Sequence, residues 1–493
     1  MSKLDTSTSL PASWSFIPLK ELGDWFGGGT PSKAKPQYWQ GGTIPWVSPK
    51  DMKTERISDS EDHITKEAVS HSATSLINAG SVLIVTRSGI LRHTLPVAVN
   101  SVPVTVNQDL KALTPRNNIL AEYVAWALRA FSRDILHTCS KQGTTVNSVE
   151  TSKLLGFEIP VAPRSQQAKI VAEIEKQFSR LDEAIANLKR VKANLKRYKA
   201  SVLKAAVEGR LVPTEAELAS SQGRSYETGD QLLHRSLDVR RNQSKGKFTM
   251  PAGPIVRDLP ELPAGWIWAS AIQACDPVVD CHNKTAPYTN AGIPLVRTTN
   301  IRDGRLVFED LRYVDQSTYE YWSRRCPPQP GDVLFTREAP MGEAGIIPPG
   351  LQLCLGQRTM LMRPFSAISA GFLLASLLSP VVKGLIDRVA VGSGVKHLRV
   401  GDVERLPIPL PPLVEQHRIV AEVDRRLSVI DELEAAVEVN LTRADRLRQS
   451  ILSQAFSGRL LGQDTKHIQD ILPTFSIAAE SQEKYGRDDR ARR

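Results

Sequence analysis

The chain of 493 residues is poor in cysteine and contains no long hydrophobic run. The five cysteines form no CxxC pair, and their odd number favours reduced thiols over a disulfide framework. They are Cys139, Cys275, Cys281, Cys326 and Cys354. The longest apolar stretch, 371–382, is shorter than the roughly 20 residues that cross a bilayer, and residues 1–11 lack the apolar core of a signal peptide. We therefore expect a cytoplasmic protein without a membrane partner.

Phosphate-binding and metal-binding motifs are also absent. No GxxxxGK[ST] loop occurs, and the glycine-rich segment 27–33 lacks the spaced second glycine followed by lysine and a hydroxyl residue, so a turn is the simpler interpretation. His63, His71, His93 and His397 show no metal-ligand spacing. The sequence predicts no catalytic residue, no metal site and no cofactor bound by this chain.

Positive charge exceeds negative charge, with 63 Lys and Arg against 53 Asp and Glu, a formal net charge of +10. Such a balance favours a polyanionic partner such as nucleic acid, although it also promotes solubility. The excess is uneven, because 161–212 carries twelve basic against five acidic residues, whereas 410–462 carries seven against eight. The basic stripe 189–199 is either a nucleic-acid contact or a solvated or partner-docking helix face.

An internal duplication is the main feature that is present. Residues 142–211 recur at 391–460 with a constant offset of 249 residues, so that Gln167 matches Gln416 and Gly209-Arg210-Leu211 matches 458–460. This period is far longer than a solenoid repeat. A whole unit is therefore used twice.

Each copy ends in a heptad pattern of apolar residues spaced alternately by four and three. A pattern this long, preceded by prolines and followed by Gly209 or Gly458, favours a coiled coil over a core-facing helix of an ordinary bundle. A helix of about 43 residues is about 65 Å long. The predicted seam residues are Ile170, Ile174, Leu181, Leu188, Val191, Leu195 and Val202 in the first copy and Ile419, Val423, Ile430, Leu433, Val437, Leu447 and Ile451 in the second.

The region ahead of each long helix has the pattern of an α+β domain. Short β-like runs occur at 81–86 and 99–106 and again at 332–336 and 353–362, and helical segments follow at 120–136 and 370–389. Landmarks such as Trp14 and Trp266 or Gln108 and Gln357 match, while the residues between them differ. The predicted boundaries are 1–160 and 256–410 for two globular domains, 161–212 and 411–462 for the helices, 213–255 for a linker with one short helix around 230–241, and 463–493 for a polar tail expected to be disordered.

At these landmarks the chain resembles the specificity subunits of type I restriction-modification enzymes. The resemblance is carried by 28–32 (Gly-Gly-Thr-Pro-Ser), by 38–51, and by the element 160–167, whose second version at 409–416 is closer to the usual family form. In the first copy Gln166 stands where the family more often has Glu, which we expect to affect local capping only. The similarity spans nearly the whole chain.

The resemblance implies two target recognition domains joined by two long helices in an antiparallel coiled coil, a pseudo-twofold internal repeat. Each domain would read one half of a bipartite, asymmetric DNA site, and the helix length would limit the unread spacer to about 19 base pairs at 3.4 Å per step. Expected partners are double-stranded DNA, two modification (methylase) subunits and restriction (translocase and nuclease) subunits. S-adenosylmethionine, ATP and Mg are expected in those partners, and this chain lacks the NPPY-like or NPPF-like tetrapeptide of DNA methylases.

The predicted DNA contacts are loop residues of the types that read base edges or hold phosphates. Each of them is as readily explained as a solvated surface residue or a local cap. They are Arg87, Ser88, Arg92, Lys141, Gln142, Thr144 and Asn147 in the first domain and Arg297, Asn300, Arg302, Arg337, Arg358, Lys396, His397 and Arg399 in the second.

Two other functions remain open from the sequence. The chain would be a DNA methylase or nuclease if its active site lacks the usual motifs, or a structural coiled-coil adaptor that does not bind DNA. Turnover by the isolated chain distinguishes the first alternative, and the absence of salt-sensitive binding to duplex DNA distinguishes the second.

Overall fold

The computed structural model describes residues 10–141, 147–244, 246–256 and 258–461, and it has the predicted mixed α+β architecture. The chain divides into two compact units. Unit one comprises residues up to Lys189 together with those from Val437 onwards, and unit two comprises Arg190–Ala436. Each unit therefore combines one globular domain with parts of both long helices.

The globular part of unit one contains four sheets, one of which is the two-stranded pair of Ser140–Lys141 with Ser148–Val149. β1 and β12 form an antiparallel pair, β2-β9-β6-β7-β4 form a five-stranded sheet, and β5-β3-β8 form a three-stranded sheet. The strands are β1 (Ser15–Pro18), β2 (Gly23–Gly27), β3 (Ile44–Val47), β4 (Arg56–Ile57), β5 (Asp62–Ile64), β6 (Val82–Val85), β7 (Val97–Asn100), β8 (Thr105–Val106), β9 (Leu110–Pro115), β10 (Ser140–Lys141), β11 (Ser148–Val149) and β12 (Glu158–Val161). The helices are α1 (Lys66–Ser70), α2 (Ala121–Ala130), α3 (Ser132–Cys139) and α4 (Thr151–Gly156), and the long helix α5 (Arg164–Val207) follows them.

Unit two repeats this strand pairing. β13 pairs with β23, β14-β22-β19-β20 form a sheet, and β15 pairs antiparallel with β18 and parallel with β21, as β3 does with β5 and β8. The strands are β13 (Ile267–Ser270), β14 (Cys275–Asp280), β15 (Ile293–Val296), β16 (Ile301–Arg302), β17 (Arg305–Leu306), β18 (Arg312–Val314), β19 (Val333–Thr336), β20 (Ala344–Ile346), β21 (Cys354–Leu355), β22 (Thr359–Pro364) and β23 (Pro407–Leu410). The helices are α6 (Glu215–Gln222), α7 (Gly229–Gln243), α8 (Ala271–Ala274), α9 (Gln316–Trp322), α10 (Ala370–Leu378), α11 (Pro380–Val389), α12 (Val400–Glu404) and the long helix α13 (Leu413–Phe456).

Several predicted segments are divided in the structure. The run 99–106 contributes to two sheets, because Val97–Asn100 pairs with β6 whereas Thr105–Val106 pairs with β3. The helical segment 370–389 is bent by 67° between α10 and α11. Pro380 begins α11, and its ring and missing N–H prevent α10 from continuing.

A buried glutamine attaches each domain to the start of its long helix. Gln167 donates from Nε2 to the carbonyls of Ala162 at 2.8 Å and Asn118 at 3.3 Å, and it accepts at Oε1 from the amide of Leu120 at 2.9 Å. Gln416 donates to the equivalent carbonyls of Pro411 at 3.1 Å and Ala367 at 2.8 Å, and it accepts from the amide of Ser369 at 2.9 Å. Because buried backbone groups need partners, the same bonds are required in both copies.

The glycines that follow the long helices also have equivalent contacts. Gly209 and Gly458 have φ values of +66° and +78°, and the next residue donates its N–H to a carbonyl five positions earlier, as in a Schellman motif. A Cβ at Gly209 would overlap the ring of Pro263, and a Cβ at Gly458 would overlap the ring of Pro11. The glycine is therefore required both by the left-handed conformation and by close approach.

The seam residues of α5 and α13 lie mostly in the interior. All are buried except Val191, Leu433 and Leu447, which are half-buried. In unit one the start of α5, through Ile170 and Ile174, shares a core with Ile451 near the end of α13. In unit two the end of α5, through Val202, shares a core with Ile419 and Val423 at the start of α13.

The segment 213–255, predicted to be a linker with one short helix, contains two helices. Thr214 and Thr228 cap α6 and α7 with capping boxes, and Leu232 and Leu237 of α7 are buried in the core of unit two. The polar composition of the segment does not reveal that α7 packs on the core, because its three buried leucines, Leu232, Leu233 and Leu237, are sufficient to dock a short helix.

Within the described residues no single helix is both long and apolar enough to cross a bilayer. The bent pair α10 and α11 meets the length and composition criteria only when its two helices are taken together. Phe372, Leu373 and Leu377 of α10 are fully buried in the core of unit two.

Candidate nucleic-acid interface

Several of the predicted contact residues of unit one meet at the end of strand β6. Arg87 and Ser88 follow β6, and the amide of Ser88 donates to the carbonyl of Asn147 at 3.1 Å. Lys141 is exposed and pairs with Ser148 in the β10–β11 ladder. The loop after β6 and the β10–β11 pair therefore form one surface.

Arg87 is held in place by a carboxylate. Its Nε lies 2.5 Å from Oδ1 of Asp109, while the side chain of Arg87 remains 55% exposed. The other carboxylate oxygen of Asp109 accepts from Nδ2 of Asn107 at 3.1 Å. Because Asp109 bonds only Nε, the two terminal nitrogens of the Arg87 guanidinium can donate to another partner.

The remaining predicted residues of unit one have different positions. Ser88 caps a single 3-10 turn at Gly89–Arg92, which carries the exposed Arg92 at its end. Gln142 and Thr144 lie outside the described residues.

In unit two Arg337, Arg358 and His397 come together at the end of β19. The amide of Arg337 donates to the carbonyl of Arg358 at 2.9 Å, and His397 forms a backbone bridge with Glu338. Nη1 of Arg337 donates to the carbonyl of Leu398 at 3.0 Å, whereas Arg358 is exposed and its Nε lies 3.2 Å from Oε2 of Glu338. Arg358 thus presents its guanidinium to solvent more fully than Arg337 does.

The loop containing Arg297, Asn300 and Arg302 is held mainly by its own backbone. Asn300 is 2% exposed, and its Nδ2 donates to two carbonyls at 3.1 Å. Arg302 donates to the carbonyls of Thr298 and Ile301, and Arg297 to that of Asp310. The side chain of Asn300, predicted as a base contact, is therefore a buried loop support, because its donors already have partners.

Two further predicted residues lie next to this surface. Lys396 is exposed, with its Nζ 4.0 Å from Oδ1 of Asp387. Arg399 is also exposed and lies at the N-terminal boundary of α12.

A repeated pair of threonine and glutamine also lies at this surface and is not among the predicted contacts. Thr30 donates to Oε1 of Gln108 at 2.5 Å, and Thr285 donates to Oε1 of Gln357 at 3.4 Å. Gln108 and Gln357 are matching landmarks of the repeat, and this match is the signal in the sequence that points to them. Asp109 and Glu338 are not among the predicted contacts either, because carboxylates do not donate to base edges or phosphates.

The two surfaces present mainly hydrogen-bond donors. Arg87 and Arg358, whose side-chain type reads guanine edges in the major groove, each lie beside one carboxylate. Gln357 instead accepts from Thr285 and donates from Nε2 to the carbonyl of Asn283 at 2.9 Å. In unit two Arg297, Gln357 and Arg358 line an open cavity of about 180 Å³ with Thr285 and Tyr288. Within the described residues no group of three or more His, Cys, Asp or Glu side chains is placed to hold a metal ion.

Comparison with protein families gives a match over most of the chain. The family of the type I restriction modification DNA specificity domain matches residues 11–197 and 283–443.

Curated relatives are similar over shorter stretches. The type I restriction enzyme EcoR124I/EcoR124II specificity subunit of Escherichia coli is 48% identical over 167 residues, which are 34% of this chain and 41% of that protein. The MjaIX specificity subunit of Methanocaldococcus jannaschii is 30% identical over 33% of this chain and 37% of its own length. The EcoBI specificity subunit of Escherichia coli is 24% identical over 69% of this chain and 66% of its own length. The chain thus spans about two fifths of the length of the first two relatives.

Solved structures share the fold. A chain from a structure of the complex assembly and conformational transition of a type I R-M system aligns with a TM-score of 0.62 at 21% identity, covering 92% of this chain and all of that one. The HsdS subunit from Thermoanaerobacter tengcongensis aligns with a TM-score of 0.51 at 19% identity, covering 93% of this chain and all of its own.

Proposed function

The chain belongs to the family of type I restriction modification DNA specificity domains, and from this membership we propose that it is a sequence-specific DNA-binding specificity subunit. It reads a bipartite, asymmetric DNA site with a non-specific spacer. One half-site is read by the domain at 1–160 and the other by the domain at 256–410.

The observation that carries this proposal is the repeated donor surface on a repeated scaffold. Each unit places an arginine after a central strand and a glutamine clamped by a threonine, namely Arg87 with Gln108 and Arg337 with Gln357. The residue after the glutamine differs in charge between the units, because it is Asp109 in unit one and Arg358 in unit two. Equal scaffolds with unequal donor and acceptor patterns suit two different half-sites.

The two long helices have a separate role in this proposal. They pair antiparallel as a coiled coil that sets the spacer, and they are part of a pseudo-twofold repeat. The contacts that support this pairing are the shared core of Ile170 with Ile451 and that of Val202 with Ile419. An ion pair between Asp182 of the first helix and Arg448 of the second also supports the antiparallel pairing.

The chain acts with partners that supply the chemistry. Two methylase subunits carry out S-adenosylmethionine-dependent methylation, and restriction subunits carry out ATP- and Mg-dependent translocation and cleavage. The chain itself positions them on DNA in the cytoplasm. The described residues contribute no assembled metal-binding group to such chemistry.

Exchange of residues 1–160 for another domain of this family tests the proposal. The variant and the wild-type chain are co-expressed with the partner methylase, and methylated bases are mapped across the host genome. One half of the methylated sequence should change and the other half should stay the same.

The reciprocal exchange of residues 256–410 is the matched control and should change only the other half. Changes in both halves, or in neither, would contradict modular reading. The alternative, a methylase or nuclease with an unrecognised active site, requires turnover by the purified chain alone when S-adenosylmethionine, or ATP and Mg, is supplied.

A further inference from the structure

One position of the candidate interface is structurally equivalent in both units but carries opposite charge. The amide of Arg87 donates to the carbonyl of Asp109 at 3.1 Å, and the amide of Arg337 donates to the carbonyl of Arg358 at 2.9 Å. In both units a threonine-clamped glutamine precedes the accepting residue. Asp109 and Arg358 therefore occupy the same place in the two scaffolds.

The side chains at this place have different partners. Asp109 holds Arg87 through Nε at 2.5 Å. Arg358 is itself held through Nε, which lies 3.2 Å from Oε2 of Glu338, and its side chain is 54% exposed. Among the described residues no hydrogen bond engages the two terminal nitrogens of Arg358, so the planar end of the guanidinium faces outward.

The backbone of Arg358 adopts a conformation that arginine rarely has. Its φ is +66°, in the left-handed region where a Cβ crowds the following carbonyl oxygen and where glycine is relaxed. Residues held in such conformations cluster at functional sites. An exposed arginine here needs a reason beyond folding, because glycine would fold more easily.

The surroundings of Arg358 suit the edge of a base. Gln357, Arg297 and Tyr288 line the open cavity beside it. An arginine fork donates two parallel hydrogen bonds to O6 and N7 of guanine, the commonest specific contact in the major groove. An arginine fork also binds phosphate oxygens, but a phosphate contact carries no sequence information, so its loss would not relax the target at one base pair.

We propose that Arg358 determines one base of the second half-site by donating from its two terminal nitrogens to O6 and N7 of a guanine. This inference rests on the proposed function. Asp109 has no donor to offer at the equivalent place. The two half-sites therefore differ at the base read from this position.

The test compares Arg358→Gly and Arg358→Lys with the wild-type full-length chain, each co-expressed with the partner methylase. Genomic methylation is mapped at single-base resolution. Arg358→Gly removes the side chain and relaxes the backbone, whereas Arg358→Lys keeps the charge and removes the fork. Asp303→Gly is the matched control, because Asp303 has a φ of +49° in the turn between β16 and β17 and is also exposed.

Both Arg358 variants should lose discrimination at a single G·C pair of one half-site by about 10- to 100-fold. The other half-site should stay intact, and the thermal midpoint of Arg358→Gly should equal or exceed that of the wild type. Asp303→Gly should leave the methylated sequence unchanged.

An unchanged sequence in Arg358→Lys would overturn the inference in favour of a charge-only contact. Relaxation at an A·T pair, or uniform weakening at every position, would overturn it as well. If Arg358→Gly abolishes methylation, Arg358→Lys decides the question, because it preserves charge and volume. Failure of the wild-type chain to direct methylation to any bipartite site would instead refute the proposed function.

Discussion

The five cysteines are buried, and each is a free thiol. Burial raises the pKa of all five, and it raises that of Cys354 to about 11. The thiolate is the reactive form, so these residues behave as small apolar side chains in the native protein. The sequence-based expectation of reduced thiols agrees with this structure.

We predict little modification of the native chain by a thiol reagent at pH 8. All five thiols should react after denaturation in urea, because unfolding restores both access and the ordinary thiol pKa. A colorimetric thiol titration with and without urea measures this. Rapid reaction of the native chain would show that at least one of these residues is open to solvent.

Two equivalent glutamines, Gln167 and Gln416, attach each globular domain to the start of its long helix. Replacement of either by leucine should lower the free energy of unfolding by about 2–4 kcal/mol, because buried backbone donors and acceptors lose their partners. Hydrogen exchange should also lose protection at the amides of Leu120 and Ser369, respectively.

Lys169→Ala, at an exposed position of the same helix, is the control for loss of a long side chain. It should change the free energy of unfolding by less than about 0.5 kcal/mol. Equal effects of Lys169→Ala and Gln167→Leu would refute the attachment role of Gln167.

The long helix α13 carries an ion-pair cluster at Glu422. Hydrogen bonds from Arg425, and also from Arg426, lower the pKa of Glu422 to about 2 against the opposing effect of partial burial. A carboxyl whose folded pKa lies below its unfolded value of 4.5 stabilises the protein above that value. The stabilisation is lost as pH falls from about 4.5 towards 2.

We therefore predict that Glu422→Gln is less stable than the wild type at pH 6 by on the order of 1 kcal/mol, since screening reduces the full effect. The difference should shrink at pH 3, as measured by urea unfolding. Glu432→Gln, an exposed position of the same helix, controls for loss of one negative charge. A difference that is equal at both pH values would exclude the ionised pair as the cause.

A second acidic residue of α13, Glu415, stands where the first copy of the repeat has Gln166. Gln166 accepts from Trp14 Nε1 at 2.8 Å, and Glu415 accepts from Trp266 Nε1 at 3.1 Å. The carboxylate of Glu415 also accepts from the amide of Glu215 at 2.9 Å. The second copy thus uses its extra oxygen to bind the start of α6.

At the scale of the whole molecule the net charge of +10 predicts binding to duplex DNA. If the chain neutralises six to ten phosphates, affinity should fall by about 10³-fold or more between 50 and 200 mM salt. Fluorescence anisotropy with a labelled duplex measures this dependence. Arg358→Gly should change the salt dependence by no more than about one phosphate contact, because a base contact releases no counterion. Absence of salt-sensitive binding to the duplex by the wild-type chain would support the adaptor hypothesis.

Much of the architecture was predictable because it depends on local patterns. The heptads, entry prolines and terminal glycines predicted both long helices, and each has 44 residues in the structure. The linker 213–255 was less predictable, since the docking of α7 through Leu232 and Leu237 depends on surfaces contributed by distant segments. The candidate interface was only partly predictable, because residue type does not reveal burial.

The sequence by itself determined the repeat, the presence of two long helices and the positions that recur, because periodicity and capping are local and an offset of 249 residues is a property of the chain alone. Only the tertiary structure decided which recurring positions face outward. Asn300 and Arg358 were equivalent candidates in the sequence, but one is buried with its donors bonded and the other is exposed. Burial and hydrogen bonding depend on residues far apart in the chain, and they separate a loop support from a side chain available to DNA.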